Sequence, residues 1–97
     1  MPKAYWIGHV DVDDSQAYEA YRQANAAAFT KYGARFLVRG GDQDVVEGSQ
    51  RARTVVIEFD DLATARACYH SPEYAAARAL REGCSTVDLV IIEGWQG

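Results

Sequence analysis

Two charged residues interrupt runs that otherwise read as buried strand: Arg39 in Phe36-Leu37-Val38-Arg39 and Glu58 in Val56-Ile57-Glu58-Phe59. These runs follow one another along the chain and read as a hairpin-like pair. If both side chains point into an apolar interior, they neutralise and hydrogen-bond each other. Removing one partner from such a buried pair typically costs about 3–5 kcal/mol. The functional reading is an arginine that holds a small carboxylate substrate, oriented by Glu58. The structural reading, and the simpler one, is an ion pair that sets strand register. His9 is a third catalytic candidate, because it lies on a strand beside Tyr5 and Ile7 with Asp11 two residues on. An imidazole backed by a carboxylate can act as a general base near neutral pH, although a lone strand histidine also serves as a hydrogen-bonded filler.

Trp6, Tyr69 and Tyr74 are the candidate substrate-binding residues. Each has an apolar body and a polar tip, and the two tyrosines flank a helix break where they would rim a pocket between helix and sheet. Ser71 lies beside them, but no Gly-x-Ser-x-Gly setting surrounds it, and its place before Pro72 makes it a helix cap. His70 falls at the bend just before Ser71, an exposed position. No metal is expected, since the histidines and acids show no short ligand spacing. Gly40, Gly41 and Gly48 lack the strand-to-helix setting of a phosphate loop. A haem would need His9 or His70 in an apolar cavity, and the sequence indicates none, so no cofactor is expected.

The elements that position these residues follow from changes in hydrophobic period. Period-2 runs cover Lys3–Val12, Ala34–Gly40, Arg53–Asp60 and Thr86–Glu93, and helical periods cover Ser15–Tyr32 and Leu62–Arg81. The order is β-α-β-β-α-β, the ferredoxin-like layout of an α+β protein. Asp13 or Asp14 caps the first helix, and Tyr18, Tyr21, Asn25, Ala28, Phe29 and Tyr32 form its buried stripe. Gly33 ends it in the left-handed conformation. Ser71-Pro72 splits the second helical region into Leu62–Tyr69, capped by Asp60 or Asp61, and Pro72–Glu82, closed by Gly83. The long connection Gly41–Ala52 contains Val45-Val46-Glu47-Gly48, which has the composition of a short extra strand.

The chain's 97 residues support one domain, residues 1–97. Its 48% hydrophobic and 25% charged residues exclude disorder as a description of the whole. A net charge of −4 with scattered Lys and Arg argues against nucleic acid. No apolar run approaches the roughly 20 residues of a membrane span. Met1-Pro2-Lys3 runs straight into a strand pattern, unlike a signal peptide. Cys68 and Cys84 match no zinc or redox spacing, and the helix between them would hold their Cα atoms too far apart for a disulfide. They read as small buried hydrophobes, a catalytic thiol being the remote alternative, and the compartment as a reducing cytoplasm.

An ordinary sheet covered on one face alternates apolar with polar residues. The last strand instead places Val87, Leu89 and Ile91 on one face and Val90 and Ile92 on the other. The first strand places Tyr5 and Ile7 opposite Trp6 and Val10. An edge strand that is apolar on both faces is an aggregation hazard unless a second copy covers it. The expected partner is therefore a second copy, with two sheets packing face to face into a barrel.

Ala4-Tyr5-Trp6, Phe36 to Gly41, Val46-Glu47-Gly48, Val56 to Phe59 and Tyr69-His70-Ser71-Pro72-Glu73-Tyr74 occur in that order along nearly the whole chain. Together they resemble a bacterial family known as domain of unknown function 1330, within the dimeric α/β-barrel superfamily. The resemblance implies a ferredoxin-like protomer and a sheet-to-sheet dimer, and it implies no reaction. Related branches include antibiotic-biosynthesis monooxygenases, haem-degrading enzymes and lactone isomerases, an analogy of fold alone. The leading expectation is a cytoplasmic homodimer that binds a small organic molecule between helix and sheet, with any catalysis cofactor-independent. The alternative is a non-catalytic structural or stress-associated interaction protein.

Overall fold

The computed structural model describes residues 2–96. Its elements are β1 (Ala4–Val12), α1 (Ser15–Lys31), β2 (Arg35–Arg39), β3 (Arg53–Phe59), α2 (Leu62–Tyr69), α3 (Pro72–Ala79) and β4 (Ser85–Glu93). The strands form one antiparallel sheet in the order β2-β3-β1-β4, so β4 is an edge as expected. This is the ferredoxin-like topology, with the second helical region in two pieces.

The helix limits follow from the predicted chemistry. Asp14 caps α1, its carboxylate accepting from the amides of Gln16 and Ala17 at 3.1 Å each. Gly33, at φ 68°, turns the chain out of that helix, a conformation that costs a Cβ-bearing residue. Asp61 caps α2 through the Thr64 amide at 2.7 Å. Ser71 Oγ accepts from the Tyr74 amide at 3.1 Å and donates to the Cys68 carbonyl at 2.7 Å, so its hydroxyl is fully used as a cap. Helix α3 ends at Ala79, short of the expected Glu82, and a turn through Gly83 leads into β4. Val45–Gly48 form no strand: residues 41–50 are exposed throughout and pair with no ladder.

All three helices pack on one face of the sheet. Trp6 is the hub of that core. Its ring lies 4.9–5.7 Å, centre to centre, from Tyr74, Phe29, Phe59 and Tyr69, largely edge to face. Its Nε1–H donates to the Ala65 carbonyl at 2.9 Å, which satisfies the one polar atom of a fully buried side chain. Cys68 and Cys84 are buried free thiols, and burial pushes the Cys68 thiol up to about 12. A protonated thiol at neutral pH is a weak nucleophile, in keeping with a packing role.

The opposite face carries no helix. Val90 and Ile92 remain 50% and 48% exposed there, alongside half-buried Ile7 and Val56. Among the described residues, no helix is long and apolar enough to cross a membrane.

Candidate functional site

Between α1, α3 and the covered face of the sheet lies a cavity of about 50 Å³. Side chains alternate across a strand, so Trp6, Gly8 and Val10 of β1 present to this side while Tyr5, Ile7 and His9 do not. Val55 and Ile57 of β3 and Val87 and Leu89 of β4 complete the floor. Helix α1 supplies Tyr18, Tyr21, Asn25 and Phe29 at the three- and four-residue steps of one helical stripe.

Gly8 keeps the floor open. A Cβ added there would meet only Leu89 Cδ1, at an ordinary 3.5 Å, so a longer side chain would fill the cavity without displacing backbone. Glycine inside a run of large strand residues is the sequence signal of such a spot.

The polar lining is cationic. Arg22, Arg39, Arg53 and Arg81 all border the cavity, and no Asp or Glu does. Arg39 and Arg53 form no ion pair among the described residues, and Arg81 donates to the Tyr74 hydroxyl at 3.4 Å. Arg22 reaches Glu19 at 3.1 Å through Nη1, yet its Nε and that of Arg53 are buried with no hydrogen-bond acceptor. Arg39 lies over the Phe36 ring at 4.2 Å. Arg53 packs against Gly40, whose φ of 75° and missing side chain leave room where a Cβ would strike the guanidinium.

The Tyr21 and Tyr74 hydroxyls are 2.7 Å apart and buried. Burial, followed by the neighbouring Tyr74, raises the Tyr21 pKa well above the ordinary phenol value, so Tyr21 is a hydrogen-bond donor and not a base at neutral pH. Burial also raises Tyr18. Burial opposes the charge on Arg81, but its contacts with Tyr74 and Tyr21 more than offset this, and its pKa lies above the ordinary value.

The predicted site residues separate into two groups. Trp6, Tyr74 and Arg39 line the cavity, whereas Tyr69 packs behind it, against Trp6 and Tyr74. Glu58 and His9 lie on the other face of the sheet.

The expected Arg39–Glu58 pair is not formed. Glu58 stands opposite Arg35, whose Nε donates to it at 2.8 Å, while Arg39 stands opposite Val55. The reason is a β-bulge at Leu37. With regular alternation, residues 35, 37 and 39 would share a face, and the extra residue turns Arg39 to the covered side.

The His9–Asp11 dyad is also absent. Asp11 accepts from Arg51 and from the Ala52 amide, each at 2.9 Å, and these bonds hold its carboxyl below the usual range. His9 Nδ1 lies 3.1 Å from Thr54 Oγ1, which spends its own proton on Gln43 Oε1 at 2.5 Å. Nδ1 therefore carries the proton, and the ring acts as a structural link.

Sequence reasoning passed over Arg53, Arg81, Arg22, Tyr21 and Asn25 as site residues. Asn25 carried a signal, being a polar side chain within an otherwise apolar stripe, 5% exposed. The three arginines carried none, since they come from α1, β3 and the turn after α3, far apart in the chain. No group of His, Cys, Asp and Glu among the described residues is arranged to hold a metal ion.

Three solved structures show what the fold resembles. A protein of unknown function from Rhodopseudomonas palustris matches with TM-score 0.79 at 15% identity, covering 99% of this chain and 85% of that one. A dimeric protein of unknown function with a ferredoxin-like fold from Bacteroides fragilis matches with TM-score 0.64 at 17% identity, covering 95% and 96%. SnoaB, a cofactor-independent oxygenase from Streptomyces nogalater, matches with TM-score 0.66 at 13% identity, covering 100% and 97%. At such identities the likeness establishes the fold and no reaction. No curated protein matches the sequence. The profile of the domain of unknown function family DUF1330 matches residues 3–95, and the chain belongs to that family.

Proposed function

We propose that this protein is a cytoplasmic homodimer that binds a small organic molecule in the cavity between α1, α3 and the sheet, with any catalysis cofactor-independent. The observation that carries this reading is the lining itself. Aromatic and aliphatic walls converge with a few polar groups, among them Tyr21, Asn25 and the arginines, at a point floored by a glycine. Ligand sites have this mixed composition, whereas a purely structural core has no use for convergent donors without acceptors. The cofactor-independent oxygenase among the structures of the same fold is consistent with the reading and does not assign the reaction.

Self-association is supported by the bare sheet face. Val90, Ile92, Ile7 and Val56 lie on it, and a patch of this kind beside an edge strand is rarely left to water. Trp95, just beyond β4, is 96% exposed, and a partner copy would cover such a group.

A thermal-shift screen over acids, amides, lactones and quinones tests the ligand reading. A ligand present at about 100 times its dissociation constant stabilises by about 2.7 kcal/mol. The gain should disappear in Gly8→Val, which fills the cavity floor. A folded protein with no hit would favour the alternative, a non-catalytic interaction protein that uses its open face.

A further inference from the structure

We propose that the cavity is built for an organic carboxylate, with Arg53 as its principal charge partner and the Tyr21 hydroxyl as a second donor. This rests on reading the cavity as a ligand site. The first support is charge. The chain has a net charge of −4, yet four arginines and no acid line this one cavity. Arg22, Arg53 and Arg81 are half-buried and Arg39 is exposed, and guanidinium groups set against an apolar wall in this way are normally matched by carboxylates.

The second support is the orphaned donors. The Nε atoms of Arg53 and Arg22 are buried without an acceptor, and a ligand carboxylate in the cavity supplies the missing oxygens in the planar geometry a guanidinium fork prefers. The third is the proton inventory of the tyrosine pair. Either hydroxyl can donate to the other, and in the arrangement where Arg81 donates to Tyr74 and Tyr74 donates to Tyr21, the Tyr21 O–H is left for a ligand oxygen.

The walls decide between organic and inorganic anions. Trp6, Phe29, Phe36 and Leu89 offer apolar surface that a phosphate ion cannot use. Size narrows the class further. At about 50 Å³ the cavity is well below the roughly 150 Å³ void that accommodates benzene. It therefore takes the carboxylate head and the first few carbons, and any larger body extends through the mouth.

Isothermal titration at low ionic strength with propionate and benzoate, their amides and inorganic phosphate tests this. Each acid should bind about tenfold or more tightly than its amide, and added salt should narrow the gap. Arg53→Gln should abolish the preference, leave amide binding in place and hold or raise the melting temperature, since an unpaired charge has been removed. A purely structural Arg53 would instead lower the melting temperature and leave the preference intact, overturning its assigned role. Equal affinity for acid and amide overturns the carboxylate assignment and leaves the ligand cavity standing, as does tighter binding of phosphate. No binding of either acid or amide overturns both.

Discussion

On the uncovered face of the sheet, Arg35 is held by Glu58 and Asp60, and Arg51 by Asp11 and Asp88, all at 2.8–3.0 Å. On the covered face, Arg39 and Arg53 have no acidic partner among the described residues, and Arg81 has only a tyrosine hydroxyl. The wet pairs contribute little each, because solvent screens them, but they fasten particular segments. Arg35 bridges β2 to β3, and Arg51 pins the 41–52 loop to β1 and β4. The unmatched cations on the covered side do nothing comparable for the fold. That contrast, cations matched by carboxylates on one face and left without them on the other, is what the proposed carboxylate site rests on.

The largest expected effect comes from removing the wall on which the covered face depends. Trp6→Ala deletes a fully buried ring, and should cost about 3–5 kcal/mol in denaturant unfolding. On the opposite face, Ile92→Glu should leave the protomer's aromatic core intact and weaken self-association by about tenfold or more, as read by sedimentation at micromolar concentration. If the unmodified protein sediments as a monomer, the bare face has no partner copy.

Tyr21→Phe sharpens the comparison more gently. It removes one hydroxyl of a buried pair and should cost about 1 kcal/mol, with Tyr74→Phe added to it costing less than the sum of the two.

The smallest effect separates the faces by pH. Arg35, aided by Lys3, holds the Glu58 carboxyl below its ordinary 4.5. A lowered native pKa means stability that is fully present above the unfolded value and lost as pH falls through the native one. Glu58→Gln should therefore be slightly less stable than the parent at pH 7, and the two stability curves should converge below pH ~4. Arg53→Gln should show no such convergence, because no carboxylate on its side of the sheet loses a partner. Parallel curves for Glu58→Gln would mean that the open-face pairs do not contribute as described.

The amino-acid order alone determined the helices, the strands and the order in which they alternate. Those features depend on near neighbours: the step of the apolar residues, the carboxylates of Asp14 and Asp61, the left-handed Gly33, and the Ser71-Pro72 break. The two-faced apolar character of β4 was legible for the same reason, since a strand's alternation is a local property. Trp6, Tyr74 and Arg39 could be picked out as candidates from their types and context, and all three line the cavity. Asn25 was visible in principle and passed over.

The partners of the charges were decided only in three dimensions. One extra residue at Leu37 reversed the face of Arg39 and gave Glu58 to Arg35. The path of the 41–52 loop brought Arg51 to Asp11 and left His9 to Thr54. The convergence of Arg22, Arg53 and Arg81 on one cavity comes from the packing of α1, β3 and the turn after α3, residues up to 59 positions apart. Periodicity records which face of its own element a side chain occupies. It carries no information on which distant side chain will share the space above that face, and in this protein the chemistry of the cavity is set by that second quantity.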